Sequence, residues 1–336
     1  MRYLLVTIDT EEDMPRWRPE PETTVRNISA IPSLQRRLNM AGIRPTWLVD
    51  YPVLDNDESC AIIRGLPSSD CEIGMHLHSW NTPPFAPDET GGKATYLHVM
   101  PTELKRRKLA GLHAMFREKL GIAPTGYRAG RYGFCFDDAV LLAELGFVAD
   151  SSVVPHTDYS SDGGPDFRSC TLQPFIIEAG NGLKLVETPL TVGLAHKLPE
   201  YLAKRYFSIP GWTRMRGVLN RLGLASLLWL RPTVSSFDEM KRLADHLLEK
   251  TECGVINIMF HSNECYPGAS PYHKTDDDVA RFLDRFFGIA NHLISRHGLA
   301  PVTLGDHARI LLAGERDGRN TVPVRRLDIF PDAACK

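Results

Sequence analysis

A chain of 336 residues with 43% apolar and 24% charged side chains has the make-up of a globular protein, long enough for one large α/β domain or two ordinary ones. Its formal charge of -2 argues against the basic surface that nucleic-acid binding needs, so no nucleic acid is expected as a partner. Seven cysteines, at 60, 71, 135, 170, 253, 265 and 335, form no CxxC and total an odd number, which speaks against a disulfide framework or a thiolate zinc site.

The first strand runs roughly from Tyr3 to Asp9 and is apolar almost throughout, as a strand buried on both faces is. Its apolar run is too short for a secretory leader, and no stretch reaches membrane-spanning length, so a cytoplasmic location is expected. "ISAIPSLQRRLNMAGI" has helical spacing and stops at Gly42. Strand "RPTWLVD", helix "DESCAIIRGL", strand "CEIGMHLH" and the long helix "MPTELKRRKLAGLHAMFREKLG" follow. Next come strand "PTGYRAGRYG", helix "DDAVLLAELG" and strand "FVADSSV". "FIIE" and "LKLVETPLTV" read as a hairpin, after which "FDEMKRLADHLLEKT", "GVINIMF", "DDDVARFLDRFFGIANHLISRHG" and "APVTL" resume the alternation. Alternating strands and helices imply a parallel sheet, and seven or eight such units predict a barrel over residues 1–314, with a polar surface tail at 315–336.

In a parallel barrel the chemistry collects at the C-terminal strand ends. Five such ends carry polar residues: Asp9 with Glu11, His76 with His78, Arg128 with Arg131 and Tyr132, Asp150 with Ser151 and Ser152, and His261 with Ser262. Side chains two apart on a strand share a face, so each of the first two pairs can aim at one point. Two imidazoles and a carboxylate make a catalytic zinc set that also suits cobalt, nickel or iron. Arg128 is expected to pair with one of the acids, while Glu187 reads as structural. His98, His113, His246, His292, His297 and His307 fall on helical patterns or loops and are expected in solvent.

Taken in order, "TIDTEED", "EIGMHLHSW", "YRAGRYG", "ADSSV" and "MFHSNE" resemble the NodB-type polysaccharide deacetylases, carbohydrate esterase family 4, especially their WalW-like relatives. The resemblance implies a distorted TIM-like (β/α) barrel. It also implies metal-dependent hydrolysis of an N-acetyl or related amide on an amino sugar of a glycan, glycolipid or lipopolysaccharide precursor. It makes Asp9 the general base, His261 the acid and Arg128 the residue that holds Asp9, with the backbone near Arg131 and Tyr132 stabilising the oxyanion. The family's second acid would fall on Thr10 and its second histidine on Trp80. The metal ligands expected here are therefore Glu11, His76 and His78, around one divalent ion: zinc first, with cobalt, nickel, iron or manganese as alternatives. Two other readings share the pattern: an amidohydrolase acting on a small cyclic amide, and a metal-free glycan-binding protein.

Residues 197–231 are too long for an ordinary connection. Lys197, Lys204, Arg205, Arg214, Arg216, Arg221 and Arg231 face a single acid, Glu200, and are interleaved with Trp212, Met215, Leu219, Leu222, Leu227, Leu228 and Trp229. That is the composition of an interfacial helix, and it predicts peripheral contact with an anionic membrane surface. A helix packing its apolar stripe on the barrel has the same pattern.

Overall fold

A computed structural model describes residues 1–16, 23–85, 96–209, 213–251, 253–317 and 323–325. β1 (Tyr3–Thr10) leads through a 3-10 turn to α1 (Ile31–Met40), which has a proline in its first turn and is followed by Gly42 at φ +68. β2 (Thr46–Val49), α2 (Tyr51–Asp55), α3 (Asp57–Arg64) and β3 (Glu72–Leu77) come next. They are followed by α4 (Thr102–Leu120), β4 (Gly126–Ala129), α5 (Phe136–Glu144) and β5 (Ala149–Asp150). β6 (Phe175–Glu178) and β7 (Lys184–Glu187) form the expected antiparallel hairpin. The second half continues with β8 (Val192–His196), α6 (Glu200–Ala203), α7 (Met215–Arg221) and β9 (Ala225–Trp229). α8 (Phe237–Lys250), β10 (Val255–His261), α9 (Asp276–His297), β11 (Ala300–Pro301), α10 (Leu304–Arg316) and β12 (Val324–Arg325) complete it.

The main sheet has the order β10-β1-β2-β3-β4-β5-β7-β6-β12, parallel from β10 to β7, with β11 pairing to β1. It curls into a half-barrel. No strand ladder joins β7 to β10, but the chain leaving β7 lies against β10: Asn257 N donates to Thr191 Oγ1 at 2.8 Å and Thr191 N to Asn257 O at 3.3 Å. The alternation of β1 explains the layering. Leu4, Val6 and Ile8 join the core beneath the outer helices, and Leu5 packs with Leu48, Val186, Leu304 and Ala308 in a second cluster under α10. Above Leu5 on the same face stand Thr7 and then Asp9, so α10 plugs one end of the curl and the polar residues collect at the other.

The structure corrects several expectations. The strand at "FVADSSV" is only Ala149–Asp150, because the Asp150 carboxylate accepts from Ser152 N at 2.9 Å and Ser152 Oγ at 2.8 Å, which turns the backbone out of the ladder. The boundary at 314 falls inside α10, and Val324–Arg325 pairs with β6 at the sheet edge; 318–322 and 326–336 lie outside the described residues. Leu227, Leu228 and Trp229 belong to a strand, since β8 and β9 form a separate antiparallel ribbon, and Trp212 lies outside the described residues. His98, His113 and His307 are buried rather than solvated, and His246, His292 and His297 are half-buried. Their helix positions face the sheet or a neighbouring helix, which periodicity over short apolar runs does not reveal. The six described cysteines are buried, and none is bridged to another of them.

Candidate active site

Sheet register assembles the site. Asp9 stands opposite His261 across β1 and β10, and His76 opposite Arg128 across β3 and β4. These strand ends, with the loops that follow, line a cavity of about 440 Å³ whose walls include Asp9, Glu11, His76, His78, Trp80 and His261. Thr10 is buried on the other side of β1, where its hydroxyl donates to Ile8 O at 3.0 Å. Asp9 and Glu11 therefore share the cavity face.

Glu11, His76 and His78 converge. His78 Nε2 lies 2.8 Å from Glu11 Oε2, His76 Nε2 lies 3.7 Å from the same oxygen, and the two Nε2 atoms are 3.0 Å apart. His76 Nδ1 contacts the Arg128 carbonyl at 2.9 Å. A carbonyl only accepts, so Nδ1 carries the proton and the Nε2 lone pair faces the cluster. His78 is held by packing instead, with the Trp80 ring 4.1 Å away. A Cβ on Gly130 would fall 2.4 Å from His78 Nδ1, so only glycine lets β4 exit past this ring. Asn263 Nδ2 donates to Glu11 Oε1 at 3.1 Å, leaving Oε2 for the histidines.

Three converging donor atoms, with the His76 tautomer set by the Arg128 carbonyl and the Glu11 carboxylate braced by Asn263, fit one divalent ion. The electrostatics agree. Burial opposes the charge on Glu11, yet His261, His76 and His78 hold its carboxyl well below the usual range. Burial likewise opposes protonation of His76, but Asp9 and Glu11 overcome it and raise its pKa. A second triad, Asp245 with His292 and His297, differs in kind. Both histidines meet Asp245 Oδ1 at 2.7 Å, while the Lys241 ammonium occupies Oδ2 at 2.8 Å, which makes a hydrogen-bonded staple between α8 and α9 with its cation already present.

Arg128, fully buried, donates to Asp9 Oδ1 at 2.6 Å, Thr7 Oγ1 at 2.7 Å, Ser151 O at 2.7 Å and Ser151 Oγ at 2.9 Å. Against the cost of burial, Arg128, His76 and His261 keep Asp9 below its ordinary pKa, and therefore ionised. Across the cavity His261 Nε2 points inward, 3.8 Å from Asp9 Oδ2 and 3.9 Å from Glu11 Oε1. Its Nδ1 donates to Glu264 Oε1 at 2.8 Å, and Arg231 Nη2 donates to that oxygen at 2.5 Å. Thr233 also donates to Glu264. Although buried, Glu264 is held down at about 2 by Arg231, His261 and Thr233.

Arg231 corrects an expectation: it is 7% exposed in the cavity wall, not part of a basic surface. Sequence reasoning missed this role because the arginine closes an otherwise basic segment, and missed Glu264 although it lies three residues past His261. Arg131 and Tyr132 take consecutive left-handed conformations, φ 52 and 61, which are costly for residues with side chains and recur at functional sites. Arg131 pairs with Asp162 and lies 4.2 Å over the Tyr96 ring, while Tyr132 stacks on Tyr159 at 5.8 Å. The cavity's outer wall is thus aromatic. Asp150 and Glu187 lie outside the cavity lining; both are fully buried, and burial raises both pKa values, while their contact raises Glu187 further and lowers Asp150, so the pair's proton rests on Glu187.

No family model and no curated protein matches the sequence. Solved structures do match over nearly the whole chain. A protein assigned as a polysaccharide deacetylase from Mycobacterium smegmatis aligns at 17% identity and TM-score 0.54, over 94% of this chain and 92% of its own. A Pseudomonas aeruginosa PAO1 protein also assigned as a polysaccharide deacetylase aligns at 14% and 0.54, over 95% and 92%. Puue allantoinase aligns at 14% and 0.55, also over 95% and 92%. The chain has the NodB-type deacetylase fold. In that NodB-type frame the cavity described above occupies the C-terminal strand ends, where barrel enzymes carry their chemistry.

Proposed function

We propose that this protein is a metal-dependent hydrolase that removes an acyl group, acetyl first, from the nitrogen of an amino sugar. The observation that carries the reading is the convergence of Glu11, His76 and His78 beside an ionised Asp9, with His261 facing them across one cavity. The "TIDTEED" and "EIGMHLHSW" motifs support a place in the WalW-like branch. The aromatic wall of Tyr96, Tyr132 and Tyr159 suits the apolar face of a sugar ring.

Glu11, His76 and His78 would hold the ion, zinc by their donor set. A divalent ion there supplies Lewis-acid chemistry, polarising the acyl carbonyl and acidifying water. Asp9, kept charged by Arg128, takes the proton of the attacking water. His261 Nε2 gives a proton to the departing amine, while Glu264 orients the ring through Nδ1. In this reading the backbone of Arg131 and Tyr132, residues of the cavity lining, would stabilise the oxyanion.

Mass spectrometry of N-acetylated amino sugars, lipid-linked and nucleotide-linked ones included, tests the reading through loss of an acetyl mass. Asp9→Asn should keep metal and lose turnover by about 10²-fold or more. Turnover of a cyclic amide with no loss from any acetylated sugar would assign the site to an amidohydrolase. A purified protein without metal or turnover would support the glycan-binding reading.

A further inference from the structure

The insertion between β8 and β9 departs from the surface pattern of the rest of the molecule. Tyr201, Leu202, Phe207, Met215, Val218 and Leu222 are large apolar residues exposed within it. Met215, Val218 and Leu222, 55%, 52% and 64% exposed, are spaced i, i+3, i+7 along α7 and its C-cap, so they form one stripe. At 100° per residue, the exposed Arg214 and Arg221 flank the stripe on one side, while Arg216 on the other side is half-buried, donating to Phe207 O at 3.0 Å over the Tyr206 ring. Lys197 and Arg205 are exposed nearby, and the only acid in the sequence from 197 to 231 is Glu200. The stripe is not what anchors the insertion. Ala203, Tyr206, Ala225 and Leu228 turn inward for that.

An apolar stripe flanked by exposed arginines matches a lipid–water boundary: the apolar side chains enter the acyl region while the guanidinium groups of Arg214 and Arg221 reach back to anionic headgroups. The insertion also borders the cavity. Phe207 stacks on His156 at 4.3 Å, Trp229 meets the Tyr132 ring at 6.2 Å, and the chain leaving β9 carries Arg231 into the cavity wall. No helix among the described residues is long and apolar enough to cross a membrane, so any attachment through this face is peripheral.

We propose that this face docks on an anionic lipid bilayer, such as a cytoplasmic leaflet, and that the amino sugar is presented there on a lipid. The second clause rests on the deacylase reading above; the docking does not. Flotation of the full chain with phosphatidylcholine vesicles, with and without phosphatidylglycerol, at low and high salt, tests it. Binding should require the anionic lipid and weaken with salt. Arg214→Glu with Arg221→Glu should reduce it about five-fold or more per arginine. Val218→Ser with Leu222→Ser should weaken it at both salt concentrations, with turnover of a soluble short amino sugar unchanged in either variant. Absence of flotation in every condition, or binding indifferent to these substitutions, overturns the docking. A dimer in solution that dissociates on Leu222→Ser, without vesicle binding, reassigns the face to a second copy and also overturns it. Docking without preference for a lipid-linked over a soluble sugar overturns the second clause alone, and failure on every amide overturns the enzymatic reading while the flotation result stands.

Discussion

Arg128 and Asp9, 119 positions apart, are joined at 2.6 Å with neither side chain more than 2% exposed. A buried carboxylate is tolerated only with its partner in place. Arg128→Gln should therefore destabilise the protein by about 3–5 kcal/mol. With the guanidinium gone, the Asp9 pKa rises, so the acid limb of the activity profile should move to higher pH; chemical denaturation and a pH–rate profile check both effects.

The metal reading depends on the HxH spacing. His76→Ala and His78→Ala should each abolish metal binding as well as turnover, whereas His292→Ala should leave metal content at one ion per chain. Elemental analysis of the purified variants decides between the two triads, and full occupancy in His78→Ala would refute the ligand set.

Gly130→Ala is a smaller change with a specific target. Its methyl would lie 2.4 Å from His78 Nδ1 and 2.6 Å from the Leu77 carbonyl, so the ring or the end of β3 must move. Metal affinity should fall about 10-fold or more while circular dichroism remains native.

Glu264→Gln removes the charge on which both His261 and Arg231 rest. Turnover should fall by about 10²-fold or more. Stability gives an independent readout. The Glu264 pKa is depressed to about 2 in the fold, so its contribution is fully present above the ordinary glutamate value near 4.5 and is lost as pH falls from there toward 2. The variant should lose this part of the acid-unfolding slope.

His307 provides a pH test away from the cavity. Burial lowers its pKa from 6.5 to about 4, and its Nδ1 meets Thr188 Oγ1 at 3.1 Å. The neutral form is the folded form, so stability is full above pH 6.5 and declines as pH falls toward 4, by about 3 kcal/mol at complete protonation. His307→Gln should flatten the stability curve within that window, measured by denaturation at pH 7, 5.5 and 4.5.

The sequence by itself determined the parallel alternation, the five polar strand ends and the two pairs of same-face residues. These rest on local periodicity: a two-residue repeat makes Asp9 share a face with Glu11 whatever the rest of the chain does. It could not determine which strand ends meet, because register is a property of pairs. Only the assembled sheet sets Asp9 against His261 and His76 against Arg128. Arg231 and the buried histidines show the same limit. Composition placed Arg231 on a basic surface and His307 in solvent, while the fold brought one to Glu264 and the other under β7, because burial of a polar side chain is decided by a distant partner that satisfies it.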